Sequence, residues 1–170
     1  MHDVHATSPS QLMDDIIGYR SACRLIGWEP KQDCVAAYNV IAFHVNLKTS
    51  LTNLPVGSAV KFENVQLNKG NGYDPKTGVF TAPEDGVYSF AWSILTKTGS
   101  TVYIAAVVDD VNHAFTCIDT QQSKWINSSG HLLYELKKGN KVWIKIFQTP
   151  TNYLHGGFYT FFSGSKIISI

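Results

Sequence analysis

Between Asn71 and Ile94 the chain reads NGYDPKTGVFTAPEDGVYSFAWSI, and this stretch restricts the fold more than any other. Asp74-Pro75-Lys76-Thr77-Gly78 and Ala82-Pro83-Glu84-Asp85-Gly86 are turn clusters, with Pro to preset φ and Gly to accept a positive φ. Between and after them stand Val79, Thr81, Val87, Tyr88, Phe90 and Trp92, the β-branched and aromatic types that suit a pleated, half-buried surface. The stretch predicts a hairpin feeding a long core strand.

The period of two extends well beyond it. Residues 37–47 alternate around Ile41, Phe43, Val45 and Leu47, and residues 59–67 form a second alternating run after a loop over 49–57. Further strands are expected over 102–108, around Cys117 with a buried thiol, over 129–136, over 141–147 after a Lys137-Lys138-Gly139-Asn140 turn, and from Phe158 to the end. Eight to ten short strands at regular spacing, with no helical period after residue 28, predict an all-β sandwich or jelly roll. Tyr88, Phe90, Trp92, Tyr134, Trp143, Phe147, Phe158, Phe161 and Phe162 read first as core or subunit contact.

Ahead of the strands, Ser8-Pro9 starts a short amphipathic helix over about residues 9–27, with Leu12, Ile16, Tyr19, Cys23 and Ile26 at alternating spacings of four and three. That seam suits a helix packed on its own domain and a short bundle equally. Residues 1–34 are taken as an N-terminal extension and 35–170 as one globular domain. Cys23 and Cys34 are a candidate disulfide in an oxidising compartment, with three free thiols as the alternative.

Composition enters mainly by exclusion. A formal charge of +1 argues against a nucleic-acid partner, which calls for a clustered basic face. The six histidines and three cysteines lack metal-site spacing, and there is no Gly-x-Ser-x-Gly, phosphate loop or His-Glu-x-x-His. Catalysis is not expected. No window is long and apolar enough for a membrane span, and Met1 to His5 lacks the charged start and apolar run of a signal peptide.

An ordered series of segments resembles the globular head of complement C1q: 41–45 (IAFHV), 60–65 (VKFENV) with Asn68, 73–83 (YDPKTGVFTAP), 86–90 (GVYSF), 133–143 (LYELKKGNKVW) and 160–164 (TFFSG). The resemblance implies a ten-stranded C1q/tumour necrosis factor jelly roll that assembles as a homotrimer. Two departures stand out. Asn140 replaces the family's usual Asp, a change expected to leave the turn indifferent, and Ser165-Lys166 follows the closing Gly where an apolar residue is common. No Gly-X-Y stalk precedes the domain, so the chain resembles the stalkless invertebrate type, especially of molluscs, which implies a secreted, lectin-like immune receptor.

Ligand-binding candidates lie in predicted loops and turns: Tyr73 and Asp74; Asp109, Asp110 and Asn112; Gln122, Lys124 and Trp125; and Asn152, Tyr153 and His155. The last two groups each combine an amide with an aromatic ring, the pairing that sugars favour. Asp109 and Asp110 are also the nearest oxygen-rich pair for calcium, which the resemblance allows and binding does not require. Asn127-Ser128-Ser129 is an acceptor sequon for N-glycosylation. The competing reading is a trimeric signalling or structural module that engages a protein receptor.

Overall fold

The structure, a computed structural model, describes residues 40–119 and 124–170, all within one compact unit. The predicted helix, Cys23, Cys34, the boundary at residue 34 and Gln122 lie outside the described residues. Twelve strands run in order: β1 (Ala42–Asn46), β2 (Leu51–Leu54), β3 (Asn64–Lys69), β4 (Tyr73–Asp74), β5 (Val79–Thr81), β6 (Gly86–Lys97), β7 (Thr101–Val108), β8 (Val111–Asp119), β9 (Trp125–Leu136), β10 (Lys141–Ile146), β11 (Thr151–Leu154) and β12 (Phe161–Ile168). Two antiparallel five-stranded sheets, ordered β3-β1-β12-β6-β9 and β4-β5-β10-β7-β8, form the expected ten-stranded jelly roll, and β2 pairs with β11 in a separate ribbon.

Alternation explains the layering. In β6 the side chains of Tyr88, Phe90, Trp92, Ile94 and Thr96 are buried, while Val87, Ser89 and Ala91 on the other face are half-buried. Strand β7 is buried on both faces through Val102 to Val108 apart from Tyr103, as its unbroken apolar run predicts. The two layers meet at Phe43: its ring stacks on Phe80 at 5.0 Å and Tyr73 at 5.2 Å from the second sheet, and meets Phe162 edge-on at 4.9 Å in its own. Gly164 lies opposite both Phe43 and Phe90, and a Cβ there would fall 2.6 Å from each ring. The small residue lets the two rings close over the sheet.

Several sequence expectations shift. The loop expected over 49–57 contains β2, and the one expected around residues 151–155 contains β11, because the two short segments satisfy one another's backbone groups. Neither alternates over a long enough run to announce itself alone. Strand β9 begins at Trp125 rather than Ser129, twelve residues paired without a bulge to β6. Cys117, expected buried, is a free exposed thiol, since it falls on the outward face of β8 between the buried Thr116 and Ile118.

Hairpin turns carry the predicted chemistry. Asp109 and Asp110 have φ of 44° and 69°, a left-handed pair that closes the β7–β8 hairpin with the twist a two-residue turn requires. Asp109 then joins this turn to the next one: its Oδ1 accepts from Lys141 N at 2.8 Å and its Oδ2 from the Asn140 side-chain amide. The Asn at 140 is therefore not interchangeable with Asp. An amide donates to the Asp109 carboxylate, whereas a second carboxylate would oppose it. Asn140→Asp is expected to destabilise the domain by on the order of 1 kcal/mol, and urea unfolding at neutral pH measures it.

Candidate functional site

The sandwich has two ends, and the strand register sorts the candidate residues between them. Gly86 pairs with Leu136 at one end of β6–β9, and Lys97 pairs with Trp125 at the other. The Asp109–Asp110 turn, Asn140 and Lys141 belong to the first end. The second end gathers the finish of β6, the start of β9 and the finish of β11.

At that second end the backbone is pinned before any side chain is placed. Thr98 N donates to Lys124 O at 3.1 Å, His155 N to Leu95 O at 2.8 Å, and Thr96 Oγ1 to Tyr153 O at 2.6 Å. Strand β11 is thereby laid against the last turns of β6. Gly156 follows, where a Cβ would stand 2.4 Å from the Thr49 carbonyl carbon; its N–H donates to Ser50 Oγ at 3.1 Å. These bonds bring the 47–50 segment beneath the 153–159 segment.

Side chains then form a connected polar chain under an aromatic cluster. Ser50 Oγ lies 3.0 Å from the Tyr153 hydroxyl, which lies 2.8 Å from His155 Nδ1. With Gly156 N–H donating into Ser50, the hydroxyl hydrogens can run in sequence toward Nδ1. Around this hub the Trp125 ring is 4.7 Å from His155, Tyr159 is 5.4 Å away and Tyr153 is 6.0 Å away. The Lys97 ammonium sits 4.4 Å above the centre of the Tyr153 ring.

The cluster is open to solvent. Trp125 is 50% exposed and Tyr159 60%, and the adjoining Phe158 is 57% exposed. Phe158 also has a φ of 72°, a left-handed conformation that costs a bulky residue on the order of 1–2 kcal/mol. Strain of this kind gathers at recognition sites, where the surrounding bonds hold it in place. Its N–H is held by Leu47 O at 3.1 Å and that of Gly157 by Lys48 O at 3.1 Å.

Of the sequence candidates, Lys124, Trp125, Tyr153 and His155 are brought together, and Asn152 lies exposed on the same strand as Tyr153. The others are not. Tyr73, named as a ligand contact, is instead a core residue at 3% exposure: its hydroxyl faces Phe62 N and O, and burial pushes its phenol pKa up. Asp74 is exposed but shapes its own turn, accepting from Lys76 N at 2.9 Å and Thr77 Oγ1 at 3.0 Å. Those bonds, the Lys76 N–H first, hold its carboxyl below the ordinary 3.8. Asn112 is half-buried and its Oδ1 has no hydrogen-bond partner.

At the Asp109–Asp110 turn, the pair named for calcium, both Asp109 carboxylate oxygens accept hydrogen bonds from the neighbouring Asn140–Lys141 turn. Among the described residues, no three His, Cys, Asp or Glu side chains are grouped to hold a metal. Asn127 is exposed in β9, and its amide exchanges hydrogen bonds with Ser93 Oγ at 2.8 and 3.0 Å.

Sequence reasoning missed Lys97, Ser50, Phe158 and Tyr159. Two aromatic residues directly after Gly156-Gly157 were a usable signal, since turns seldom spend large rings on solvent without a partner. Nothing in the sequence connected Ser50 to Tyr153, which are 103 positions apart.

With fold and site described, the comparisons fit one another. The family model of the C1q domain matches residues 42–166, and the chain belongs to that family. It is 31% identical over 122 residues to human complement C1q tumor necrosis factor-related protein 3, covering 71% of this chain and 49% of the relative. It is 30% identical over 102 residues to the heavy metal-binding protein HIP of Mytilus edulis, covering 60% of this chain and 48% of the relative. The chain thus spans about half the length of these curated relatives. Among solved structures it superposes on the globular domain of a zebrafish complement 1qA protein with a TM-score of 0.62 at 24% identity, covering 77% and 99% of the two chains. The Eiger TNF structure from S. frugiperda follows the same fold, with a TM-score of 0.60 at 14% identity, covering 78% and 95%. No helix among the described residues is long and apolar enough to cross a membrane.

Proposed function

We propose that this protein is a secreted, homotrimeric pattern-recognition protein of innate immunity, a C1q-like lectin that binds carbohydrate or other microbial surface molecules without catalysis. One observation carries the reading: Trp125 of β9 and Tyr153, His155 and Tyr159 of the 153–159 segment converge on one solvent-open end with a hydrogen-bonded imidazole at their centre. An exposed aromatic surface with a few fixed polar groups suits the apolar face and ringed hydroxyls of a pyranose. Calcium is not required by this arrangement.

A second reading, a non-lectin trimeric module for a protein receptor, is favoured by the likeness to a TNF structure. A glycan array probed with the purified chain, with and without chelator, separates the two. Binding is expected with chelator present, and Trp125→Ala is expected to weaken it at least about tenfold, as loss of a central aromatic anchor does. Light scattering on the same sample should give three times the chain mass. An array on which the unaltered protein binds no glycan would remove the lectin reading and leave the receptor module.

A further inference from the structure

We propose that Ser50 is a positioning residue of the aromatic end: it holds the Tyr153 hydroxyl as donor to His155 Nδ1, so that the imidazole meets a ligand through Nε2. The inference rests on the lectin reading above for its ligand and on the hydrogen-bond chain for its geometry. Register brings the three side chains together. Tyr153 pairs with Thr52 and Leu154 with Leu51 across the β11–β2 ribbon, so continuing that ladder by one residue sets Ser50 opposite His155, on the face that Tyr153 shares.

The backbone around Ser50 is clamped from two sides. Glu63 Oε1 accepts from Lys48 N at 3.1 Å and from Thr49 N and Thr49 Oγ1 at 3.0 Å each. On the other side Lys48 O and Leu47 O receive the N–H groups of Gly157 and Phe158, each at 3.1 Å. An exposed serine thereby has its hydroxyl set 3.0 Å from that of Tyr153.

The order of donors follows from counting hydrogens. The Gly156 N–H can only donate, and it takes one lone pair of Ser50 Oγ at 3.1 Å. If Ser50 then donates to Tyr153 and Tyr153 to Nδ1, each oxygen gives one hydrogen and receives one, and the bonds of such a chain polarise one another. The reverse order makes Ser50 accept twice and turns its own hydrogen to solvent. In a neutral imidazole the partner of one ring nitrogen sets which nitrogen carries the proton. Nδ1 held as an acceptor assigns the proton to Nε2.

Nitrogen NMR of the histidine rings, at a pH where imidazole is neutral and with His155→Gln to assign the signals, tests this without any ligand. His155 is expected to show a protonated Nε2 and a bare Nδ1. In Ser50→Ala and in Tyr153→Phe the two signals are expected to move toward one another as the tautomers mix, and Ser50→Thr, which keeps a hydroxyl, should restore them. Calorimetric titration with lactose, mannotriose and chitotriose reads the consequence. Ser50→Ala should weaken whichever of them binds by about fivefold, the worth of one hydrogen bond, and the double variant should bind no more weakly than Tyr153→Phe alone. A proton found on Nδ1, signals that stay in place in Ser50→Ala, a Ser50→Thr variant no different from Ser50→Ala, or losses that simply add in the double variant overturns the positioning role while the lectin reading stands. If the unaltered chain takes none of the three sugars and the glycan array is blank, the lectin reading falls, and the ring signals alone then confirm or overturn the role of Ser50.

Discussion

Replacing Phe43 by alanine is expected to cost about 3–5 kcal/mol of stability and to lower the melting temperature by about 10–15 °C. The ring is 2% exposed and contacts Tyr73, Phe80, Phe90 and Phe162, so it is shared by both sheets. Truncation removes its transfer free energy and leaves a cavity walled by rings that cannot collapse, because each is held in a strand of its own. Gly164 beneath it has no side chain to move into the space. Urea and thermal unfolding of the variant measure the loss. A cost below about 1.5 kcal/mol would mean that the neighbouring rings repack freely, as volume-conserving swaps allow.

Gly130→Val is expected to be nearly as damaging, at about 3–5 kcal/mol, although it adds atoms instead of removing them. Gly130 is paired with Trp92, and even a Cβ would fall 2.2 Å from that ring. The indole has nowhere to go: it is 1% exposed and its Nε1 donates to Thr116 Oγ1 at 2.9 Å. Displacing it breaks that bond as well as the packing, and leaves a buried donor unmatched. Gly139→Ala supplies the contrast. Its φ is 92° with nothing within 4 Å of the added Cβ, so only backbone strain of about 1–2 kcal/mol is expected. Unfolding both variants with tryptophan fluorescence as readout separates contact from conformation. Equal, small losses in the two would show that Trp92 shifts without penalty.

The fold was legible from residues 71–94 because turn clusters and a period of two are local signals that tertiary structure had no reason to overturn. Val87 to Ile94 did become part of a long core strand, and Asp109-Asp110 did become a turn. Short elements were lost to local reading. β2 and β11 are four residues each and exist by pairing with one another across the chain. Tyr73 was misassigned for a related reason: it precedes a turn, and only the packing of the second sheet on the first reveals that its ring points inward onto Phe43.

The site followed the same division. Trp125, Tyr153 and His155 carried enough chemistry to be noticed singly, as aromatics and an imidazole in apparent loops. Their meeting depends on the start of β9 and the finish of β11 lying at one end of β6, a matter of register set over twelve residue pairs in the case of β9. Lys97 drew no notice because a lysine ahead of a turn is ordinary; its place over the Tyr153 ring emerges only when Trp125 and Tyr153 are set beside it. Sequence alone determined the all-β class, the turns and the family, because these rest on neighbours along the chain. Only the tertiary structure decided which exposed aromatics share a surface and which lie apart, because that rests on contacts between segments that are distant in sequence and whose cost of closure is recovered only when the whole sandwich folds.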